Sequence, residues 1–339
     1  MSDASDTCCH RILELYSGIG GMHCAWNSAG IKGKVVVAVD INTVANEVYQ
    51  SNFPDTNIFN RNIQSLTSDE INGLKVDTIL MSPPCQPFTR NGKLLDENDT
   101  RANSFLYLIK ILEKLKNIKY ILMENVKGFE NSTVRDIFIK KIQQCNFNYQ
   151  EFLICPTTVG IPNSRCRYYC IAKINHSPWH FKRKDEIMQC LPKQYDEPFT
   201  LDEILEVDVS DKFLLKDKFL KRGNILDICY RDCRRSCCFT KAYSHYLEGT
   251  GSVVTEANRD IVQKCYELAN NTEVGSDEFI KALKGIKLRF FTPKEILLLM
   301  AFPKNYVFPD TITLKQCYRL LGNSVNVKVI SELIKILFE

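Results

Sequence analysis

The chain lacks any apolar run long enough for a bilayer. Its longest, such as Ile296–Phe302, fall far short of the roughly 20 residues a spanning helix needs. It also lacks a leader pattern: MSDASDTCCH is acidic and polar, with no charged segment leading into an apolar one. Charge of one sign is scarce, with a formal net charge of only +4, which excludes a polybasic tail or a histone-like binder. A local basic face remains open, because a total hides its distribution. Histidine is sparse, at five residues, which leaves little for a histidine-based metal centre. No internal repeat or low-complexity tract is present, so solenoid, collagenous and disordered classes fall away.

Cysteine, by contrast, is plentiful. Fifteen is an odd number, and a chain of 339 residues does not need disulfide staples to hold a core. The expectation is a soluble, cytoplasmic protein with reduced thiols, each a small hydrophobe unless its neighbours make it reactive. Hydrophobic residues at 45% and charged residues at 25% suit a large buried core, and the length suggests about two domains.

The first half alternates β-branched runs with helical patterns. Arg11–Tyr16, Val35–Asp40, Val76–Met81, Tyr120–Glu124 and Tyr168–Lys173 read as strands. Ser104–Lys116 and Val134–Gln144 carry apolar residues at the helical period. Such alternation predicts an α/β fold, a parallel sheet with helices on both faces. From about Asn175 the alternation stops, and basic residues gather between Lys216 and Lys241. A smaller domain is expected at 181–290, with a cofactor-binding domain at 1–180 completed by 300–339, and 291–339 serving as hinge and returning helix. Thr292-Pro293-Lys294-Glu295 is a capping box that opens a helix, and Gly322-Asn323-Ser324 reads as a turn before the final one.

Five features carry chemistry. Strand Arg11–Tyr16 runs into Ser17-Gly18-Ile19-Gly20-Gly21, and glycines there let backbone N–H groups approach a ligand. Asp40 ends the next strand, where a carboxylate suits the hydroxyls of a ribose. The spacing is not the dinucleotide pattern, so an adenosine ligand without phosphates, such as S-adenosylmethionine, fits better. Strand Val76–Met81 then leads into Ser82-Pro83-Pro84-Cys85-Gln86-Pro87, where prolines stiffen the loop around one thiol. A thiol so placed is a candidate nucleophile. Glu124 ends an apolar strand at the same sheet edge, where burial would keep a proton on it. Arg165 and Arg167, two apart in an extended segment, should present both guanidinium groups on one face.

These parts make one reaction. C5 of cytosine is too weak a nucleophile to take a methyl group unaided; addition of a thiolate at C6, with an acid at N3, makes C5 nucleophilic. The ordered set ELYSGIGG, PPCQPF, ENV, NSRCRYY and LLGNSVN resembles the S-adenosylmethionine-dependent cytosine-5 methyltransferase family along essentially the whole chain. The resemblance implies a Rossmann-like sheet plus a smaller target-recognition domain. It implies Cys85 as nucleophile, Glu124 at N3, and Arg165 and Arg167 at substrate. For the cofactor it implies Gly18, Ile19, Gly20, Gly21, Asp40, Ile41, Ile63, Gln64, Ser82 and Ser324. The product would be S-adenosylhomocysteine, with no metal. Asn62 and Asn163 depart from the family pattern, which usually has an acid and a glutamine there.

Cys238-Phe239-Thr240-Lys241-Ala242-Tyr243 is similar to a signature of the branch that methylates transfer RNA. By implication the target is cytosine 38 in the anticodon loop of tRNA aspartate, with weak DNA binding, a monomeric state and nuclear visits besides. Lys241 and Tyr243 are the expected substrate contacts, with Tyr246 and Phe239 available to stack on bases. Two alternatives stand beside this reading: a DNA cytosine-5 methyltransferase, and a non-catalytic RNA-binding protein on the same scaffold. Cys229, Cys233 and Cys237, spaced by four, would share one helix face, but only His245 is near, so no metal is expected.

Overall fold

The computed structural model describes residues 9–84, 103–175 and 178–339. In chain order the first elements are β1 (His10–Leu15), α1 (Gly21–Ala29), β2 (Gly33–Asp40), α2 (Thr43–Asn52), β3 (Asn57–Asn60) and α3 (Ser68–Gly73). There follow β4 (Thr78–Met81), α4 (Asn103–Ile111), β5 (Tyr120–Val126), α5 (Thr133–Gln144), β6 (Phe147–Ile154) and β7 (Arg167–Ile174). Then come α6 (Asp217–Leu220), β8 (Ile228–Cys229), β9 (Val253–Val254), α7 (Arg259–Asn270) and α8 (Asp277–Lys284). The chain closes with β10 (Arg289–Phe290), α9 (Pro293–Leu299), α10 (Leu314–Asn323) and α11 (Val327–Phe338). Among the described residues no helix is long and apolar enough to cross a membrane.

The chain divides into two compact units. The first holds residues up to Ile154, Cys166–Gln194 and Val327–Glu339; the second holds Cys155–Arg165 and Tyr195–Asn326. These limits differ from those expected: the 155–165 segment and the chain up to Asn326 pack with the second unit.

In the first unit a seven-stranded sheet has the order β3-β2-β1-β4-β5-β7-β6. The sheet is not all parallel as expected. Strands β1 to β5 pair in parallel, whereas β7 runs antiparallel to both β5 and β6. The cause is the connection from β6 to β7, which contains only a 3₁₀ turn at Pro156–Val159 and no crossover helix. Alternation along the strands divides the core. Leu13, Leu15, Val37, Val39, Ile79, Met81, Ile121 and Met123 join one cluster with Phe105 and Leu108 of α4 and Phe138 and Ile142 of α5. Their neighbours Ile12, Ala38, Leu80 and Leu122 are equally buried, pointing to the other face. Helix α11 packs beside α1 and against β5 and β7, and Phe338 meets Trp26 edge-on at 5.2 Å.

Two strands of this sheet escaped the sequence reading. β3 is only four residues long, and β6 buries Gln150 and Glu151 among its apolar positions, which blurs its pattern.

The second unit has a three-stranded sheet, β10-β9-β8, with α7 against α8 and α9 against α10. The expected capping box at Thr292 is present: its hydroxyl accepts from Glu295 N–H, and the Glu295 carboxylate accepts from Thr292 N–H. Gly322 and Asn323 form the last turn of α10, and Ser324 caps it, so the expected turn begins two residues late.

Candidate active site

Strand β1 lies between β2 and β4, so connections leave it in opposite directions and a crevice opens at the carboxyl ends. The segment after β1 fills that position. Tyr16, Gly18 and Gly20 all have positive φ, of 56°, 51° and 82°. Gly18 N–H donates to Asp40 Oδ2 at 2.8 Å, and Asn42 N–H donates to Oδ1 at 2.8 Å. Burial pushes the Asp40 carboxyl above its ordinary value, while those backbone donors oppose the shift. A Cβ on Gly18 would meet no atom within 4 Å, whereas one on Gly20 would lie 2.6 Å from the Phe53 ring. Gly18 therefore borders open space and Gly20 is wedged.

Ile41, directly after Asp40, is 67% exposed, an apolar surface beside a carboxylate. Ile63 is instead buried in the core cluster, with Gln64 exposed next to it. Ile19 is buried, and Gly21 opens α1. Open space at Gly18, an anchored carboxylate and an apolar surface are what an adenosine ligand requires, so the residues fit S-adenosylmethionine.

After β4, Ser82 N–H reaches Leu15 O at 3.4 Å, which sets this loop beside the glycine turn. The chain then enters Cys85, which lies outside the described residues. Glu124, near the end of β5, is buried, and its Oε1 lies 3.5 Å from Arg167 Nε at the start of β7. The antiparallel register explains the pair: Val126 is opposite Arg167 and Glu124 opposite Tyr169. The first unit thus gathers the glycine turn, Asp40, Ser82, Glu124 and Arg167 at one edge of its sheet.

Sequence reasoning missed a buried cluster below the turn. Glu14 is fully buried, and Tyr49 Oη donates to its Oε2 at 2.6 Å. His23 Nδ1 lies 2.8 Å from the same Oη. Burial pushes Glu14 up to about 8 and His23 down to about 4. The one available signal was a carboxylate inside an apolar strand, the clue that had singled out Glu124.

In the second unit the expected residues divide. Arg165 is buried; Nη1 donates to Phe239 O at 3.0 Å, and Nη2 donates to Gly322 O at 3.1 Å and to Ser324 O. This guanidinium ties the signature segment to the end of α10, and its partners differ from those of Arg167. Asn163 donates to Ser236 Oγ at 3.0 Å and Cys237 O at 2.9 Å, so the amide that departs from the family pattern has a local task.

Tyr243 is a correction. It is buried, its hydroxyl donates to Ser252 O at 2.6 Å and accepts from Phe291 N–H at 2.9 Å, and its ring meets Tyr318 edge-on. Phe239 is buried against it. Neither ring can stack on a base in this arrangement. Lys241 and Tyr246 are exposed. Part of the basic group is also neutralised: Arg222 pairs with Glu248, Arg231 with Asp202 and Glu256, and Arg235 with Asp227. The three cysteines share no helix, since Cys229 lies in β8 and the chain beyond it is turn and loop.

Known proteins share this organisation. The family described as C-5 cytosine-specific DNA methylase matches residues 10–339. A protein of Spodoptera frugiperda named tRNA (cytosine(38)-C(5))-methyltransferase is 65% identical over 97% of this chain and 99% of its own. A Homo sapiens protein of the same name is 43% identical over 97% of this chain and 99% of its own. The crystal structure of a Spodoptera frugiperda DNMT2 mutant superposes with a TM-score of 0.92 at 64% identity, covering 97% of this chain and 100% of that one. By sequence along nearly its whole length, and by fold, the chain belongs to the C-5 cytosine-specific methylase family.

Proposed function

We propose that the protein methylates C5 of cytosine 38 in the anticodon loop of tRNA aspartate, through a covalent adduct between Cys85 and C6. The observation that carries this reading is near-full-length identity to relatives named for cytosine-38 methylation of tRNA. The Cys238–Tyr243 signature accords with it. A loop cytosine is also cheap to extract, since flipping costs only a few kcal/mol and less where the base is unpaired.

Gly18–Gly21, Asp40, Ile41 and Ser82 would hold S-adenosylmethionine, which supplies the electrophilic methyl group. Cys85 Sγ adds to C6 while Glu124 hydrogen-bonds N3, so electron density moves to C5. Arg167, 3.5 Å from Glu124, orients that carboxyl against the base. After transfer a base takes the C5 proton and Cys85 leaves as thiolate. The second unit serves as the target-recognition domain, with Lys241 and Tyr246 on its exposed surface. The chain acts as a monomer in the cytoplasm and visits the nucleus.

DNA is the second reading, because the family's description names DNA. The test is transfer of labelled methyl from S-adenosylmethionine into small RNA and, in parallel, into unmethylated duplex DNA. Label in RNA that vanishes with Cys85→Ala is expected. Label confined to DNA would overturn the substrate, and turnover by Cys85→Ala would overturn the adduct. Cofactor binding without label in either polymer would favour a non-catalytic RNA-binding protein.

A further inference from the structure

The turn between β1 and α1 is an unusual piece of backbone. Three of its residues have positive φ, and one of them, Tyr16, is not glycine. For a non-glycine residue such a conformation is strained and persists only where the surroundings hold it. The surroundings here are specific. Gly20 caps α1 and packs against two rings of α2 and its C-terminal end: an added Cβ would be 2.6 Å from Phe53 and 3.0 Å from Tyr49.

Tyr49 does a second task with its hydroxyl. It donates to Glu14, four residues before Gly18, while the first-turn N–H groups of Met22 and His23 also favour the carboxylate. His23 completes the contact, with Nδ1 2.8 Å from Tyr49 Oη and its ring stacked on Phe53 at 3.8 Å. A fully buried carboxyl in an apolar strand is expensive unless its partners are fixed. One hydrogen-bonded chain therefore links β1, α1 and α2, the three elements that surround the turn.

We infer that Glu14 and Tyr49 are positioning residues for cofactor binding, a buried brace that fixes the strained glycine turn in its ligand-ready shape. The inference rests on the reading of Gly18–Gly21 as the cofactor turn. Neither residue touches the ligand; each acts through the backbone of the turn. Removing the Tyr49 hydroxyl leaves the ring that wedges Gly20 and takes away the links to Glu14 and His23. A loosened turn must then be reordered at each binding event, so affinity falls while the chemical step, once the site is filled, is spared.

The test is calorimetric titration of the full chain with S-adenosylhomocysteine, paired with turnover at saturating S-adenosylmethionine. Tyr49→Phe is expected to raise the Kd about tenfold with kcat within about twofold. Glu14→Leu is expected to lose as much affinity, and Glu14→Gln, which keeps an acceptor for the tyrosine, to restore most of it. A brace that only supports folding would lower the melting temperature of these variants without separating Kd from kcat. An unchanged Kd in Tyr49→Phe, or a Glu14→Gln loss equal to that of Glu14→Leu, would overturn the brace. Asp40→Ala distinguishes the two failures. If it weakens binding and Tyr49→Phe does not, the brace alone falls. If neither changes the Kd, the turn is not the cofactor site and the inference falls with it.

Discussion

Glu14 and Glu124 both follow apolar residues in their strands, yet only Glu124 stands out from the sequence as a candidate site residue. Glu124 lies near the end of its strand, followed by Asn125 and Val126. Glu14 lies inside β1, and its partners Tyr49 and His23 are 35 and 9 residues away, invisible to any local pattern. Its burial has a pH consequence. The folded protein holds the Glu14 proton up to about 8, whereas an unfolded chain releases it near its ordinary value of 4.5. The stabilising contribution is full below that ordinary value and is lost as pH rises through about 8. His23, lowered to about 4, acts in the opposite direction and only below its ordinary value of 6.5. Between pH 6.5 and 8.5 the carboxyl therefore acts alone within this cluster. The wild-type melting temperature should fall across that window more steeply than that of Glu14→Gln; parallel curves in thermal melts would refute the assignment.

Elements were legible where their signals were local. β1 and β2 were expected within two residues of their observed limits, and the Thr292 capping box stands as its four-residue pattern requires. Two of the failures share a cause, which is polar chemistry satisfied at long range. β6 was missed because Glu151 is buried there, held by Arg135 and Tyr168 from other elements. Tyr243 was read as a substrate contact because nothing in Cys238–Tyr243 reveals that Ser252 and Phe291 will take its hydroxyl. Helix α10 carries the same lesson in reverse. Gly322 looked like a turn glycine, yet it is helical, and its lack of a side chain serves close packing: a Cβ would lie 2.1 Å from Lys241 N and 2.2 Å from Thr240 C. Backbone atoms cannot swing aside as a side chain can. Gly322→Ala should therefore destabilise the protein by about 3 kcal/mol, read as a lowered midpoint in urea. A change under about 0.5 kcal/mol would show that the helix shifts freely.

At the scale of the whole molecule, the α/β class and the chemistry of the first unit were written in short motifs. The strand order was not, since it depends on which strand ends a crossover. In the proposed mechanism the reversed β7 matters because its antiparallel register with β5 brings Arg167 to Glu124. Likewise, the chain leaves the second unit at Asn326 and returns as α11 to pack beside α1, so the first unit is built from both ends of the sequence. The central claim joins this scaffold to one base in one RNA. It is tested most directly by incubating the enzyme and S-adenosylmethionine with tRNA aspartate transcripts carrying cytosine or uridine at position 38, and mapping 5-methylcytosine at single-nucleotide resolution. Methylation at position 38 of the first transcript, and none anywhere in the second, is the expected result. Methylation at another cytosine, or undiminished in the uridine transcript, would contradict it.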